Sequence, residues 1–185
     1  MKVAVVLLIA VLAINATGLC RDEYTITKVQ PTFVPTPNVG GEKRRSGGGG
    51  EDQWLAIEVD FKSTVELTDE LTFSYYVALA NKCLVGETTY VNVEKGRDLH
   101  AVMYISPRAL RHLTAAKRAS SNNIENITVQ ILSKGQPVAE KSMKPAPADW
   151  WKKAEAVKGI VLKKSETPFA WVDWDYYEEL KPESH

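Results

Sequence analysis

The sequence predicts an all-β protein with two short helices, and three observations support that class. Apolar and polar residues alternate with period two in several runs, and turn-forming residues separate these runs at short intervals. No helix regularly separates one strand from the next, which argues against a parallel α/β sheet. About eight short strands with few helices are typical of an antiparallel β-sandwich of immunoglobulin-like type, although the Cys, Trp and Cys spacing of antibody domains is missing.

The first predicted strand is Tyr24 to Val34, which is rich in β-branched and aromatic residues. Pro31 cannot donate a backbone hydrogen bond, so it confines the second half of the strand to a sheet edge. Residues 19–34 are therefore expected to form an N-terminal strand or arm. Residues 35–53 are rich in Gly, Pro and charge and predict a flexible loop. A phosphate-binding loop is not indicated, because its last Gly is followed by Glu51 and Asp52.

The sandwich itself is predicted over residues 54–180. Clear alternation indicates strands at 54–62 and 71–80, with a loop at 66–70 between them. Two further strands are predicted at 88–93 and 99–105, on either side of a turn at 94–98.

The second half of the sequence is predicted to contain both short helices, together with shorter strands. Ser106 and Pro107 suit the first positions of a helix, which is expected over Pro107 to Lys117. Strands are predicted at 127–131 and 137–143, joined by a turn, and a short apolar run follows at 160–162. Asp149 is expected to cap a second helix that Gly159 ends.

The N-terminus has the layout of a secretory signal peptide over residues 1–18. Lys2 precedes an uninterrupted apolar run from Val3 to Ile14, and Ala16 and Gly18 provide small residues before a cut. The apolar run is shorter than the roughly 20 residues that a membrane-spanning helix needs. We therefore expect an exported chain of the periplasm, cell surface or extracellular space, with no membrane span after cleavage. The alternative is an uncleaved N-terminal anchor.

Export makes the two cysteines informative. Cys20 and Cys83 are the cysteines of the chain, and an even pair can form a disulfide in an oxidising compartment. Such a bridge would connect the N-terminal arm to the middle of the fold, and the alternative is two unpaired thiols.

Composition and motifs favour a protein without enzymatic activity. The 23 basic residues balance the 23 acidic ones, so the net charge provides no argument for a nucleic-acid or anionic-membrane partner. His100, His112 and His185 have no Cys or second His at metal-ligand spacing. No nucleophile or metalloprotease motif is present, and we expect neither a metal nor another cofactor.

The C-terminal stretch PFAWVDWDYYEEL contains five of the sixteen aromatic residues, within Phe169 to Tyr177. A last strand over Pro168 to Tyr177 would bury one face, whose members are expected to be Ala170, Val172, Trp174 and Tyr176.

The opposite face of that strand would carry Trp171, Asp173, Asp175 and Tyr177. Two carboxylates two residues apart would lie roughly 7 Å from each other, which suits an inverting glycosidase or a cation site, and the aromatic rings could stack on a sugar. The alternative is a partly solvated outer face that contacts a partner. Trp150 and Trp151 form a second candidate for partner docking, with a purely structural role as the alternative.

Together, the export signal, the DWWKK stretch (Asp149–Lys153) and the SETPFAWVDWDYYEEL stretch (Ser165–Leu180) resemble small exported bacterial proteins with an immunoglobulin-like domain. These proteins are associated with a type IV pilus-like gene cluster, and the resemblance covers much of Trp54 to Leu180. It implies a β-sandwich, a role in surface assembly or adhesion, no cofactor, and partners among envelope or pilus proteins or copies of the chain itself.

One departure from pilin subunits favours an accessory role. Pilins keep a hydrophobic N-terminal helix, whereas the hydrophobic run here precedes the predicted cut and would be lost. The leading hypothesis is therefore an exported, non-enzymatic interaction protein, associated with type IV pili as an accessory or adhesion component. The alternative is a secreted carbohydrate-binding or carbohydrate-acting protein, and a secreted ligand acting on host cells fits the same sequence.

Overall fold

The computed structural model describes residues 23–37, 53–115 and 120–182. Its strands are β1 (Tyr24–Pro35), β2 (Gln53–Leu79), β3 (Lys82–Ile105), β4 (Ile124–Ser133), β5 (Gln136–Ser142), β6 (Ala156–Lys158) and β7 (Val161–Lys163). The α-helix α1 (Pro107–Thr114) and three short 3-10 turns complete the described elements. The predicted all-β class with few helices is confirmed.

A long hairpin of β2 and β3 forms the centre of the fold. The two strands pair antiparallel along most of their length, from Leu55 opposite Ile105 to Leu79 opposite Lys82. Ala80 and Asn81 connect them with φ angles of 51° and 59°. Positive φ at both positions is the geometry of the two-residue type I′ turn, whose twist matches that of the flanking strands.

The predicted loop at 66–70 and turn at 94–98 are wrong, because both stretches remain extended within β2 and β3. The pairing shifts register on both sides of Ser63, which lies opposite Gly96. A side chain at Gly96 would have its Cβ 2.6 Å from a methyl carbon of Leu99, so a larger residue here would require the Leu99 side chain to move. The polar residues that predicted a break instead mark an irregular, strongly bent part of a continuous hairpin.

This bend divides one hydrogen-bonded sheet into two halves. The first half of β2 pairs with β1 and with the end of β3, and β7 extends that half beyond β3. The second half of β2 pairs with β4, which pairs in turn with β5, while β6 runs parallel to the start of β3. β1 pairs with β2 alone among the described strands, which agrees with the predicted edge position of Pro31.

The two halves share one hydrophobic core, which makes the fold sandwich-like. Phe61 from the first half and Phe73 from the second meet edge to face, with ring centroids 5.0 Å apart. Inward residues of β2 are fully buried in both halves, as their period-two alternation predicted; they are Leu55, Ile57, Val59, Phe61, Leu71, Phe73, Tyr75, Val77 and Leu79. The aliphatic and Phe side chains among them each contribute about 1.5–3 kcal/mol by leaving water, whereas the buried hydroxyl of Tyr75 has no hydrogen-bond partner among the described residues and offsets part of its gain.

The predicted first helix is confirmed over its described part. Ser106 caps α1 by accepting a hydrogen bond from the Ala109 backbone N–H at 3.2 Å, and Pro107 occupies the first helical position. Leu110 is buried in the core and fixes the helix against the sheet. The helix ends at Thr114, its C-cap Ala115 has a left-handed φ of 51°, and residues 116–119 lie outside the described part.

The predicted second helix is wrong. Only Trp150–Lys153 forms a 3-10 turn, and residues 156–158 instead form β6. Asp149 has a φ of 55°, and its carboxylate lies 2.9 Å from the Lys152 ammonium rather than capping backbone N–H groups. Packing of the tryptophans on the sheet outweighs the helix propensity of this stretch.

The predicted last strand at Pro168 to Tyr177 is also wrong, because these residues form consecutive turns. We call residues 168–177 the C-terminal turn segment. Within the described residues, no helix is long and apolar enough to cross a membrane.

Candidate functional site

The C-terminal turn segment is anchored on the outer face of the first half of the sheet. Alternation turns Trp54 and Ala56 of β2, and Val102 and Tyr104 of β3, away from the main core. Phe169 covers them, stacked on Tyr104 at 4.5 Å between ring centroids and edge-on to Trp54 at 5.7 Å. This second, smaller core fixes the start of the segment.

Local hydrogen bonds explain why the segment is not a strand. The Ala170 N–H donates to the Thr167 carbonyl at 3.2 Å, and the Val172 N–H donates to the Phe169 carbonyl at 3.0 Å. The Asp173 φ is 48°, a left-handed conformation that Asp tolerates better than most residues. The backbone groups that would pair in a sheet are therefore used within the segment.

Tyr177 fixes the end of the segment. Its hydroxyl donates to the Glu58 carboxylate at 2.8 Å. Burial, followed by the bond to Glu58, raises the pKa of Tyr177 well above its usual range, so the hydroxyl stays protonated and remains a donor. The Lys164 ammonium lies 4.9 Å from the Tyr177 ring centroid and donates to the Asp173 carbonyl at 3.1 Å. Burial lowers the pKa of Lys164, and the carboxylates of Asp173 and Asp175 oppose that shift.

A second contact fixes the segment through His100. The Tyr176 ring stacks on the His100 imidazole with centroids 4.1 Å apart. His100 Nδ1 lies 3.1 Å from an Asp60 carboxylate oxygen, and its Nε2 lies 3.6 Å from an oxygen of Asp98. The imidazole is thus held between two carboxylates, with one face covered by the tyrosine.

Beyond the segment, the chain continues along the edge of β3. The Glu178 N–H donates to the His100 carbonyl at 3.1 Å, and the Lys181 N–H donates to the Thr89 carbonyl at 2.9 Å. The Val91 N–H donates back to the Glu179 carbonyl at 2.8 Å. Both ends of the C-terminal turn segment are therefore attached to the sheet.

Between these attachments the segment exposes its largest side chains. Trp171 is 81% exposed, Trp174 is 74% exposed and Tyr176 is 49% exposed. The prediction that Ala170, Val172, Trp174 and Tyr176 form one buried face is therefore wrong. Both Asp side chains of the segment are exposed as well, beside the two tryptophans.

The structure places the predicted site residues of this region in two different roles. Trp171, Asp173 and Asp175 are exposed, whereas Tyr177 is half-buried and bonded to Glu58. The expected common strand face for these four residues does not exist, because the strand does not form. Whether the exposed residues contact a ligand or partner stays a prediction.

The second predicted docking point, Trp150 and Trp151, packs on the other half of the sheet. Trp151 is 5% exposed and stacks on Tyr76 of β2 at 4.9 Å. The Trp150 indole N–H donates to the Thr128 hydroxyl of β4 at 2.8 Å. These tryptophans therefore do not join Trp171 in one surface.

The predicted disulfide remains a prediction. Cys83 is buried in β3, where burial raises the pKa of its thiol. Cys20 lies outside the described residues, as do the predicted signal peptide, residues 38–52 of the predicted flexible loop and His185.

Two clefts in the described part of the chain lie away from the Asp173 and Asp175 pair. A cleft of about 540 Å³ lies at the bend of the sheet, beside Tyr24 and Thr68. The other, of about 380 Å³, is lined by Thr89, Lys181 and neighbouring residues. A glycosidase needs its carboxylates on both sides of a bound substrate, and neither of these clefts provides that arrangement for the pair.

Sequence reasoning missed the contacts of His100 and Lys164 and the exposure of Trp174. Two Asp residues within one short run were a signal against a strand, since Asp is depleted from strands. The stacking of Tyr176 on His100 joins residues far apart in the chain and left no local signal.

Comparison with known proteins supports the fold. A protein-family model matches residues 19–184. A crystal structure of a protein from Akkermansia muciniphila matches with a TM-score of 0.73 and 24% sequence identity, over 88% of this chain and 94% of that one. At this identity the likeness shows the fold alone. A search of curated proteins gives no match.

Proposed function

The chain belongs to the family whose model matches residues 19–184, and from this premise we propose that it is an exported, non-enzymatic interaction protein. Its place is the cell surface or the periplasm, and its partners are envelope proteins. Within that role we propose a more specific one, an accessory or adhesion component associated with type IV pili.

The exposed aromatic surface of the C-terminal turn segment supports this proposal most directly. Trp171 and Trp174 are largely exposed, although Phe169 and Tyr177 hold the same segment firmly on the sheet. Trp and Tyr are enriched at the centres of protein–protein interfaces, where they provide most of the binding energy. Exposed aromatic side chains on an anchored backbone are what a partner-binding surface needs before its partner arrives.

Affinity purification of the tagged full chain from the envelope of its native cells tests this role. We expect identified type IV pilus components to co-purify with the wild-type chain. A double variant, Trp171→Ala with Trp174→Ala, should recover less of them, while Leu67→Ala, which removes another exposed apolar side chain, should recover the same amount. A wild-type chain that is exported but recovers no pilus or envelope component would refute the proposal.

Carbohydrate binding is the second candidate, and the exposed tryptophans favour it. Trp171 and Trp174 offer ring faces to a sugar, and the neighbouring carboxylates of Asp173 and Asp175 could accept bonds from its hydroxyls. Glycan-array binding by the full chain tests this role. Binding that is absent from the wild type, or that survives Trp171→Ala combined with Asp173→Ala, would exclude it.

A further inference from the structure

We propose that the C-terminal turn segment binds an arginine-bearing, cationic segment of a partner protein. Trp171, Trp174 and Tyr176 provide the ring faces on which the guanidinium groups stack, and nearby carboxylates provide the opposite charge. This inference rests on the proposed function and names the partner chemistry that this surface would select.

The first argument is the concentration of exposed aromatic rings. Five large hydrophobic residues are exposed among the described residues, and three of them lie within 171–176 of the C-terminal turn segment. The other two, Leu67 and Val138, are aliphatic and lie on different strands. A cation over the face of Trp or Tyr is attracted by the negative charge of the ring system, and Arg makes such contacts more often than Lys.

The second argument is the charge around these rings. Glu58, Asp60, Asp98 and Asp173 all lie close enough to Tyr176 to raise its pKa, after the larger effect of burial. Asp175 adds a further exposed carboxylate from within the segment.

Two described basic side chains that contact this region, Lys164 and His100, are already engaged. The Lys164 ammonium bonds to the Asp173 carbonyl and lies over the Tyr177 ring. His100 is held beside Asp60, with Asp98 near its other nitrogen. The five carboxylates named above therefore outnumber these two basic side chains among the described residues, although the whole chain has a net charge of +0. Such a surface attracts a cationic segment and repels an anionic membrane.

The third argument is the anchored backbone that carries the rings. Phe169 is buried at one end of the segment, and Tyr177 is bonded to Glu58 at the other. Tyr176 is further held by stacking on His100. A surface that is already ordered loses less conformational entropy on binding, so the exposed rings retain more of their interaction free energy.

The combination of rings with carboxylates favours arginine over lysine. A guanidinium group is planar, so it can stack on Trp171 or Trp174 while its N–H groups bond to a neighbouring carboxylate. The ammonium group of lysine is a compact point charge that is more strongly hydrated. We therefore expect a preference for arginine at equal peptide charge.

Titration of the full chain with defined peptides tests the inference. The probes are three short synthetic peptides that alternate Gly with Arg, with Lys or with Glu, and binding is followed by tryptophan fluorescence and calorimetry at low and high salt. We expect saturable binding of the Arg peptide, several-fold weaker binding of the Lys peptide and none of the Glu peptide.

Matched variants locate the binding surface. Trp171→Ala with Trp174→Ala should weaken the Arg peptide about tenfold. Asp173→Asn with Asp175→Asn should also weaken it and reduce its salt dependence, because these changes remove charge with little change in shape. Leu67→Ala and Asp69→Asn, at exposed positions of β2 outside the segment, should bind as the wild type does. Thermal unfolding by circular dichroism verifies that each variant is folded.

Several results would overturn the inference. One is equal binding of the Arg peptide by the wild type and both double variants. Another is tryptophan-dependent binding of anionic vesicles or of a glycan in place of the peptide. A third is self-association that the tryptophan variant abolishes. If the peptide does not bind while pilus components still co-purify, this inference fails and the proposed function stands. If the peptide binds and no envelope component co-purifies, the proposed function fails, but the assignment of an arginine-binding surface to the C-terminal turn segment stands.

Discussion

Two pairs of tryptophans lie outside the strands of the same sheet, and they differ in exposure: one pair packs on the sheet and the other is exposed to solvent. Trp150 and Trp151 follow β5 and settle on the second half, where Tyr76 offers a ring to stack on and Thr128 offers a hydrogen-bond acceptor. Trp171 and Trp174 follow β7 and stay exposed, because Phe169 and Tyr177 anchor their segment on the first half. A tryptophan is buried here only where the sheet surface offers a ring or a hydrogen-bond group to contact. Where neighbouring residues such as Phe169 and Tyr177 already occupy the sheet, the tryptophans between them remain exposed to water or to a partner.

The strongest test of this comparison removes the anchor of the exposed pair. Phe169→Ala should destabilise the protein by about 4 kcal/mol, since it deletes a buried ring and leaves a cavity against Trp54 and Tyr104. Chemical denaturation measures the loss, and limited proteolysis should show earlier cleavage within 168–177. Unchanged stability and cleavage would mean that Phe169 does not hold the segment.

The next test removes the buried member of the other pair. Trp151→Ala should cost about 3 kcal/mol through the loss of its stacking on Tyr76. The same denaturation experiment measures it, and proteolysis within 168–177 should be unaffected, because the two pairs pack on different halves of the sheet. Faster cleavage there would show that the halves are coupled more tightly than their separate contacts indicate.

A smaller effect is expected from the second anchor. Tyr177→Phe should cost about 2 kcal/mol near neutral pH, because the bond to a charged Glu58 is lost and its carboxylate is left without that donor. The raised pKa of Tyr177 gives the wild type stability that is complete below about pH 10. That stability decreases as the pH rises further, because the unfolded chain ionises first.

Denaturation across alkaline pH isolates this contribution by comparing the wild type with Tyr177→Phe. The difference between the two should shrink above about pH 10. A difference that is constant to high pH would mean that the hydroxyl of Tyr177 is equally solvated in the folded and unfolded states.

The smallest effect should come from the exposed pair. Trp171→Ala and Trp174→Ala should each change the free energy of unfolding by less than about 0.5 kcal/mol, since neither ring is buried. Either variant should also reduce the red-shifted part of the fluorescence, which comes from solvated indoles. A loss as large as that of Trp151→Ala would show that the exposed rings pack against the protein in solution.

Local pattern predicted the parts of the fold whose structure depends on local residues. The alternation of Leu55, Ile57, Val59 and Phe61 predicted the inward face of β2, and Ser106 with Pro107 predicted the start of α1. Both are confirmed because the side-chain period and the helix cap act between residues close in the chain.

The errors occur where distant contacts decide the structure. The run from Ala170 to Tyr176 has the period of a strand, yet its backbone bonds within local turns, while buried anchors at Phe169 and Tyr177 fix its ends. Trp171, Asp173 and Asp175 are exposed as the alternation predicted, but Trp174 and Tyr176, which it placed inward, are exposed as well. Whether this stretch is a binding site stays a prediction. Alternation shows how apolar residues are spaced along the chain, but it cannot show whether that stretch pairs with a strand of the sheet.

The edge of β3 opposite β2 is covered by three separate short pieces of the C-terminal part of the chain. These are β6, β7 and residues 178–181. An uncovered edge of this length would offer unpaired N–H and C=O groups to any other extended chain. Removal of the residues after 163 would uncover the middle of β3 and leave its backbone groups open to pairing with another extended chain. The stretch that carries the exposed tryptophans therefore also covers a sheet edge.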